Sequence, residues 1–132
     1  MILGIGLDIL KISRFKDLHL KYGNKFLERI FTPEEIRKSH NFSSEKRVIS
    51  YFAKRFSAKE AFAKAIGDGI GKNISFLDIE ITNGENNKPL LKLSDKLTKY
   101  LSHIYGEIDL QFHITLSDEQ DIASAMIIIE KK

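Results

Sequence analysis

Residues 2–9 alternate sharply: Leu3, Ile5, Leu7 and Ile9 share one face of a strand, and Gly4, Gly6 and Asp8 share the other. A strand greasy on one side and bare on the other constrains the fold, because its glycine-lined side admits another backbone or a ligand at close range. Asp8 stands at the end of that bare face. The strand heads a chain of 132 residues, 42% of them hydrophobic, which fits one domain spanning residues 1–132 with a single core. In a chain this short, a neighbouring subunit can be needed to complete a cleft.

The following segments carry their own punctuation. A helix is expected from Ser13 as N-cap toward Lys25 or beyond, with Gly23 weakening its middle. Thr32-Pro33-Glu34-Glu35 is a capping box with proline at the first helical position. A long helix follows Ser43 or Ser44 to Ile66, with Val48, Phe52, Phe56 and Phe62 or Ala63 on its buried side and Gly67 as a left-handed stop. Residues 74–82 read as a strand with Leu77, Ile79 and Ile81 on one side and Asp78 and Glu80 on the other. Asn83-Gly84 turns, and Pro89 to Leu93 resumes the pairing. Ser94 caps a helix carrying Leu97, Leu101 and Ile104. Leu110–Leu116 alternate and pair with Ile122–Glu130 as a hairpin. The class is α+β, a small antiparallel sheet packed with helices.

Composition removes several chemistries. The chain has no cysteine, which excludes disulfides, thiolate nucleophiles and zinc–sulfur sites and agrees with a reducing cytoplasm. No apolar run approaches the roughly 20 residues of a membrane helix, and Met1–Ile5 carries no basic leader, so a cytoplasmic protein is expected. A net charge of +3 suits phosphates, an acidic protein or nucleic acid alike.

The long helix holds most of the chemistry. Arg55 and Lys59 lie four residues apart and stack two cations on one face, at a cost of a few tenths of a kcal/mol (roughly) unless an anion sits between them. Phosphate is the natural anion, gripped by arginine as a fork and by lysine as a point charge; a solvated basic face is the alternative. Glu60 follows Phe56 by four and precedes Lys64 by four. It is either half of a Glu–Lys helix pair or an oxygen ligand converging with Asp8. Magnesium suits the second case, since it keeps waters and takes only one or two carboxylates plus substrate phosphates. Gly67-Asp68-Gly69-Ile70-Gly71 follows a helix and lacks a Gly-Lys-Ser/Thr ending, so it is a chain reversal open to a ligand's close approach and not a phosphate loop. His113 lies on the polar face of its strand beside Gln111 and Thr115, and no other histidine has metal-ligand spacing to it. Arg14, Leu18, Lys21 and Lys25 form a stripe that suits an acidic helix or a solvated surface.

These segments resemble the holo-acyl-carrier-protein synthases of the 4'-phosphopantetheinyl transferase superfamily. The resemblance runs from Gly4-Ile5-Gly6-Leu7-Asp8 and Arg14 through Phe31–Glu35 and Arg55–Ala65 to His113–Ser117 and Ala123–Glu130. It implies transfer of 4'-phosphopantetheine from coenzyme A to a serine of apo acyl carrier protein, with adenosine 3',5'-bisphosphate as product, in fatty acid biosynthesis. It also implies Mg2+ held by Asp8 and Glu60, with Glu60 or a metal-bound water relieving the serine of its proton and Lys64 offsetting phosphate charge. Arg55 and His113 would meet the nucleotide end of coenzyme A, and Gly67 its chain; Arg14, Lys21 and Lys25 would meet the acidic carrier helix. The family forms trimers with sites between subunits, so His113 would come from the subunit next to Asp8 and Glu60; neither nucleic acid nor membrane is an implied partner. Where the family reads Ser-His this chain reads Ser117-Asp118, an acid that would repel phosphate, and Asp118 is therefore expected outside the site. The competing reading is a non-enzymatic basic module binding an acidic protein or nucleic acid. It leaves Asp8 and Glu60 unexplained and offers only Phe76 and Phe112 for base stacking. A transferase serving the carriers of polyketide or peptide synthesis is a closer alternative.

Overall fold

The bare face of the first strand receives a helix. The computed structural model describes Met1–Lys132. In it β1 (Ile2–Lys11) lies directly on α4 (Glu45–Ile66). A Cβ on Gly4 would come 2.2 Å from the Ala65 carbonyl oxygen, and one on Gly6 would come 1.8 Å from that of Ala61. Only glycine on the strand, facing alanine on the helix, allows the two backbones this close. Gly6→Ala is expected to force them apart, at a cost of about 1–3 kcal/mol or more as overpacking against unyielding backbone. A chemical-denaturation midpoint unchanged from wild type would contradict that packing.

Closing α4 onto β1 turns the apolar side of the strand outward. Ile5, Leu7 and Ile9 are 60, 53 and 65% exposed, so the greasy face is not buried within the chain. Leu3 departs from them: a register shift between Ile2 and Gly4 lets it pack on the core instead. β5 (Ile122–Lys131) pairs with β1 and with β4 (Leu110–Glu119), giving an antiparallel sheet in the order β1-β5-β4. Ile5 stands opposite Ile128, which stands opposite His113. The inner face presents Ala125, Ile127 and Ile129 to Ala58, Ala61 and Phe62 of α4. A second cluster, built on Phe15, Phe31 and Phe52, fills the other side of α4. β2 (Ile79–Asn83) and β3 (Pro89–Leu93) form a separate antiparallel pair, joined to the hairpin by α5 (Asp95–Tyr105).

Most of the punctuation acts as expected. Thr32 and Glu35 form the reciprocal capping box of α3 (Pro33–Ser39), Ser44 and Ser94 cap α4 and α5, and Gly67 ends α4 at φ 99°. Two elements differ. The helix expected from Ser13 begins at Ile12 and stops at Tyr22. Gly23 (φ 68°, ψ −152°) breaks the chain into α1 (Ile12–Tyr22) and α2 (Asn24–Ile30) where a weakened middle was expected. Ser13 is not the cap either. The hairpin turn supplies it: Asp121 Oδ1 accepts from Ser13 N at 2.8 Å and the Asp121 carbonyl accepts from Ile12 N at 2.8 Å. The strand expected from residue 74 begins only at Ile79. The Asp78 carboxylate accepts from Ser75 N, Ser75 Oγ and Ser94 Oγ, which winds Phe76–Asp78 into a 3-10 turn and leaves Leu77 exposed.

Candidate active site

Because Gly4 and Gly6 seat β1 on the last turns of α4, Asp8 lands beside the polar residues of that helix. Asp8 Oδ2 accepts from Ser57 Oγ at 2.9 Å, and Oδ1 accepts from Lys64 Nζ at 3.1 Å. Lys64 also donates to the Leu7 carbonyl at 3.2 Å, so its half-exposed side chain folds back over the strand. Glu60 lies one turn before Lys64. Burial and then the Asp8 charge push its carboxyl above the usual range, and Lys64 offsets this only partly. Two carboxylates fifty-two residues apart in sequence are thereby held in one field with a lysine acting on both. Asp8 is tied on both oxygens. Glu60 is not tied by any side-chain hydrogen bond.

The expected phosphate pair on α4 does not form. Lys59 is completely buried, its Nζ donating to Glu35 Oε1 at 2.6 Å, the Ile30 carbonyl at 2.6 Å and the Phe76 carbonyl at 3.1 Å. Burial pulls its ammonium pKa down while Glu35 resists. It is neither a phosphate ligand nor part of a solvated face. The reason is that α4 is packed on two sides, so position 59 points into the junction of α2, α3 and β2. The signal was present in sequence: Ala58, Ala61, Phe62 and Ala63 surround Lys59 with small or apolar residues, which marks a helix buried all round.

Arg55 turns the other way. Its guanidinium stacks 3.7 Å over the Tyr51 ring and donates to Asn83 Oδ1 at 3.0 Å, while Nε is buried with no partner. Burial lowers its pKa, opposed chiefly by Tyr51 and Glu35. That unpaired Nε is a buried donor that costs stability. Arg55 sits at the base of an open cleft of about 1060 Å³ between α3, the first half of α4, the β2–β3 turn and the end of β4. Lys38, Arg47 and Lys88 line it as well. They come from three separate elements, so no spacing rule could have joined them. Asp118, expected outside, lines this cleft.

The other expected residues divide. Gly67 follows Lys64 at the end of α4 and opens a loop fastened to α5 through Asp68, which accepts from Tyr100 Oη and from Asn73 Nδ2. His113 is on the outer face of β4, with Nε2 2.8 Å from Glu130 Oε2. Within one chain it lies across the sheet from α4, away from Asp8 and Glu60. Arg14 and Lys21 are exposed on α1, but Lys25 belongs to α2 beyond the Gly23 break and does not continue their stripe.

The family model described as the 4'-phosphopantetheinyl transferase superfamily matches residues 4–123. The chain belongs to that superfamily. Among its members, the holo-[acyl-carrier-protein] synthase of Geobacillus sp. is 44% identical over 99% of this chain and 98% of its own. That of Wolbachia pipientis from Culex is 42% identical over 98% of each. The crystal structure of the Neisseria meningitidis synthase superposes with a TM-score of 0.88 at 39% identity, covering 99% of this chain and 100% of the other. The Helicobacter pylori synthase, solved in complex with coenzyme A, gives 0.80 at 34% identity over 96 and 99%. The α+β frame is therefore that of a phosphopantetheinyl transferase.

Proposed function

We propose that Asp8, Glu60 and Lys64 form the transfer centre of this enzyme and that the Arg55 cleft takes the nucleotide end of its substrate. The enzyme moves the 4'-phosphopantetheine arm of coenzyme A onto a serine of apo acyl carrier protein, releasing adenosine 3',5'-bisphosphate. The observation that carries the residue assignment is Glu60, partly buried against a second carboxylate and without a fixed hydrogen bond. That arrangement costs stability unless a cation or a phosphate-bound proton relieves it.

The donor set fits Mg2+. No cluster of three or more His, Asp or Glu side chains forms, but two hard carboxylates suffice for an ion that keeps waters and shares phosphates. Asp8 and Glu60 would hold it, and bound there it would neutralise the pyrophosphate of coenzyme A. Glu60, the carboxylate with no side-chain hydrogen bond, accepts the proton as the serine oxygen bonds to the phosphorus bearing the pantetheine arm. The bond from that phosphorus to the adenosine phosphate breaks, and Lys64 offsets the departing charge. Arg55 and His113 grip the nucleotide; Gly67 leaves room for the pantetheine chain.

The exposed row of Ile5, Leu7, Ile9 and Met126 supports a homotrimer closed on this sheet face. His113 shares that face, so a neighbouring copy would carry it toward Asp8 and Glu60 across the interface. The reading takes residues 1–132 as one domain. It places the enzyme in the cytoplasm and in fatty acid biosynthesis; no helix is long and apolar enough to cross a membrane. Arg14 and Lys21 on α1 face an acidic helix of the carrier, and Lys25 on α2 would meet it only from beyond the Gly23 break. Arg14→Glu is expected to raise the KM for carrier roughly ten-fold or more through charge reversal at the docking site, with the KM for coenzyme A little changed. Equal rises in both would contradict docking.

The deciding experiment is the intact mass of apo acyl carrier protein after incubation with this enzyme and coenzyme A, with magnesium or with chelator. A gain of one phosphopantetheine that disappears with chelator is expected. A gain that persists would remove the metal from the site, and no gain with several carriers would overturn the residue assignment together with the reading.

A further inference from the structure

Asp118 is the single acidic side chain lining the basic cleft, against six cationic ones. It stands at the end of β4 and is held to α4 by two contacts: Oδ2 accepts from Ser50 Oγ at 2.8 Å, and Oδ1 pairs with Lys54 Nζ at 3.1 Å. Ser50 and Lys54 are one helical turn apart, so the carboxylate is pinned along the cleft wall. The same contacts hold it ionised, with its pKa below the ordinary carboxylate value. Lys38, Lys46, Arg47 and Lys88 take part in none of the chain's ion pairs.

A cleft of six cations would hold a bisphosphate hard, and turnover requires that bisphosphate to leave. We propose that Asp118 is a specificity-determining residue that loosens the cleft's grip on phosphate, cancelling Lys54 so that coenzyme A binds moderately and adenosine 3',5'-bisphosphate is released. It rests on the nucleotide reading of the cleft. Asp118 touches Lys54 and Ser50, not the reacting atoms, so its effect is on binding of substrate and product and on how that binding responds to salt.

The test is calorimetric titration of adenosine 3',5'-bisphosphate into the whole enzyme at several salt concentrations. Asp118→Asn is expected to tighten binding on the order of five-fold, the scale of one charge acting across a partly solvated cleft, and to steepen the salt dependence. Asp118→Glu keeps the charge and should bind as wild type. Lys54→Gln alone should weaken binding, and Lys54→Gln with Asp118→Asn should return it to the wild-type value. Arg47→Ala, an exposed cleft cation, is the control and should weaken binding several-fold. If Arg47→Ala weakens binding while Asp118→Asn leaves it unchanged or weaker, the role of Asp118 is overturned and the nucleotide site stands. If the Asn and Glu variants both weaken it, Asp118 is a structural brace. If neither Arg47→Ala nor Asp118→Asn changes it, the cleft is not the nucleotide site and both proposals fall.

Discussion

Glu60→Gln is expected to lower turnover by roughly 10²–10⁴-fold, the range for a group acting on the reacting atoms, while the folded protein becomes no less stable. The two halves of that expectation have one cause. Burial and the neighbouring Asp8 charge raise the Glu60 carboxyl above its ordinary pKa. A raised carboxyl means the folded chain holds its proton more tightly than the unfolded chain. The contribution to stability is therefore complete below the ordinary carboxylate value and is lost as pH rises through the folded one. At neutral pH the ionised Glu60 opposes folding, and glutamine removes that opposition while keeping the shape. Magnesium should reverse the sign for wild type: by accepting both carboxylates it should raise the thermal midpoint near pH 7, and this rise should be absent in Glu60→Gln. Thermal unfolding with and without magnesium reads this independently of turnover. A Glu60→Gln variant with near-normal transfer, or with an undiminished response to magnesium, would take Glu60 out of the centre.

What the sequence made legible is what one stretch of chain decides for itself. The capping box at Thr32–Glu35, the stop at Gly67 and the β4–β5 hairpin depend on neighbours within a few residues. Periodicity states which residues share a face, but not what that face meets. The glycine face of β1 could have met a backbone or a ligand, and it met α4. That sent Ile5, Leu7 and Ile9 outward and left Asp8 at the helix's polar end. The same limit explains Lys59. Four-residue spacing put it beside Arg55, whereas two-sided packing of α4 sent the two side chains to different elements. The cleft was not legible because Lys38 and Lys88 join the four α4 cations from distant segments, and the Ser50 and Lys54 contacts that hold Asp118 along it are equally non-local. Asp8 and Glu60 were offered together only as one of two readings of Glu60, and the family resemblance chose between them; no rule of spacing links residues fifty-two apart. Their proximity is a product of two glycines.

Lys59→Met is expected to cost about 3–5 kcal/mol of folding stability, the scale for removing one partner of a buried ion pair. Glu35 shows why. Its Oε1 accepts from Lys59 Nζ and from Thr32 N at 2.9 Å, and its Oε2 accepts from Ile81 N at 3.0 Å. Lys59 in turn gathers the Ile30 and Phe76 carbonyls. The end of α2, the start of α3, the entry to β2 and the middle of α4 thus meet at one charge pair with 0% of either side chain exposed. Methionine fills the lysine stem but leaves a buried carboxylate and two carbonyls facing no cation. Glu35→Gln in the Lys59→Met background should recover part of the loss, because a neutral amide carries no uncompensated charge, although its single oxygen can accept from only one of the Thr32 and Ile81 N–H groups. Lys59 precedes Glu60, so α4 cannot rotate to relieve the defect without carrying Glu60 away from Asp8; kcat of the surviving folded enzyme should fall with KM for carrier little changed. Urea unfolding of the two single variants and the double closes the cycle. A single-variant loss below about 1 kcal/mol, the level of an exposed pair, would mean that water reaches this junction and that Lys59 does not set the orientation of the helix that bears Glu60.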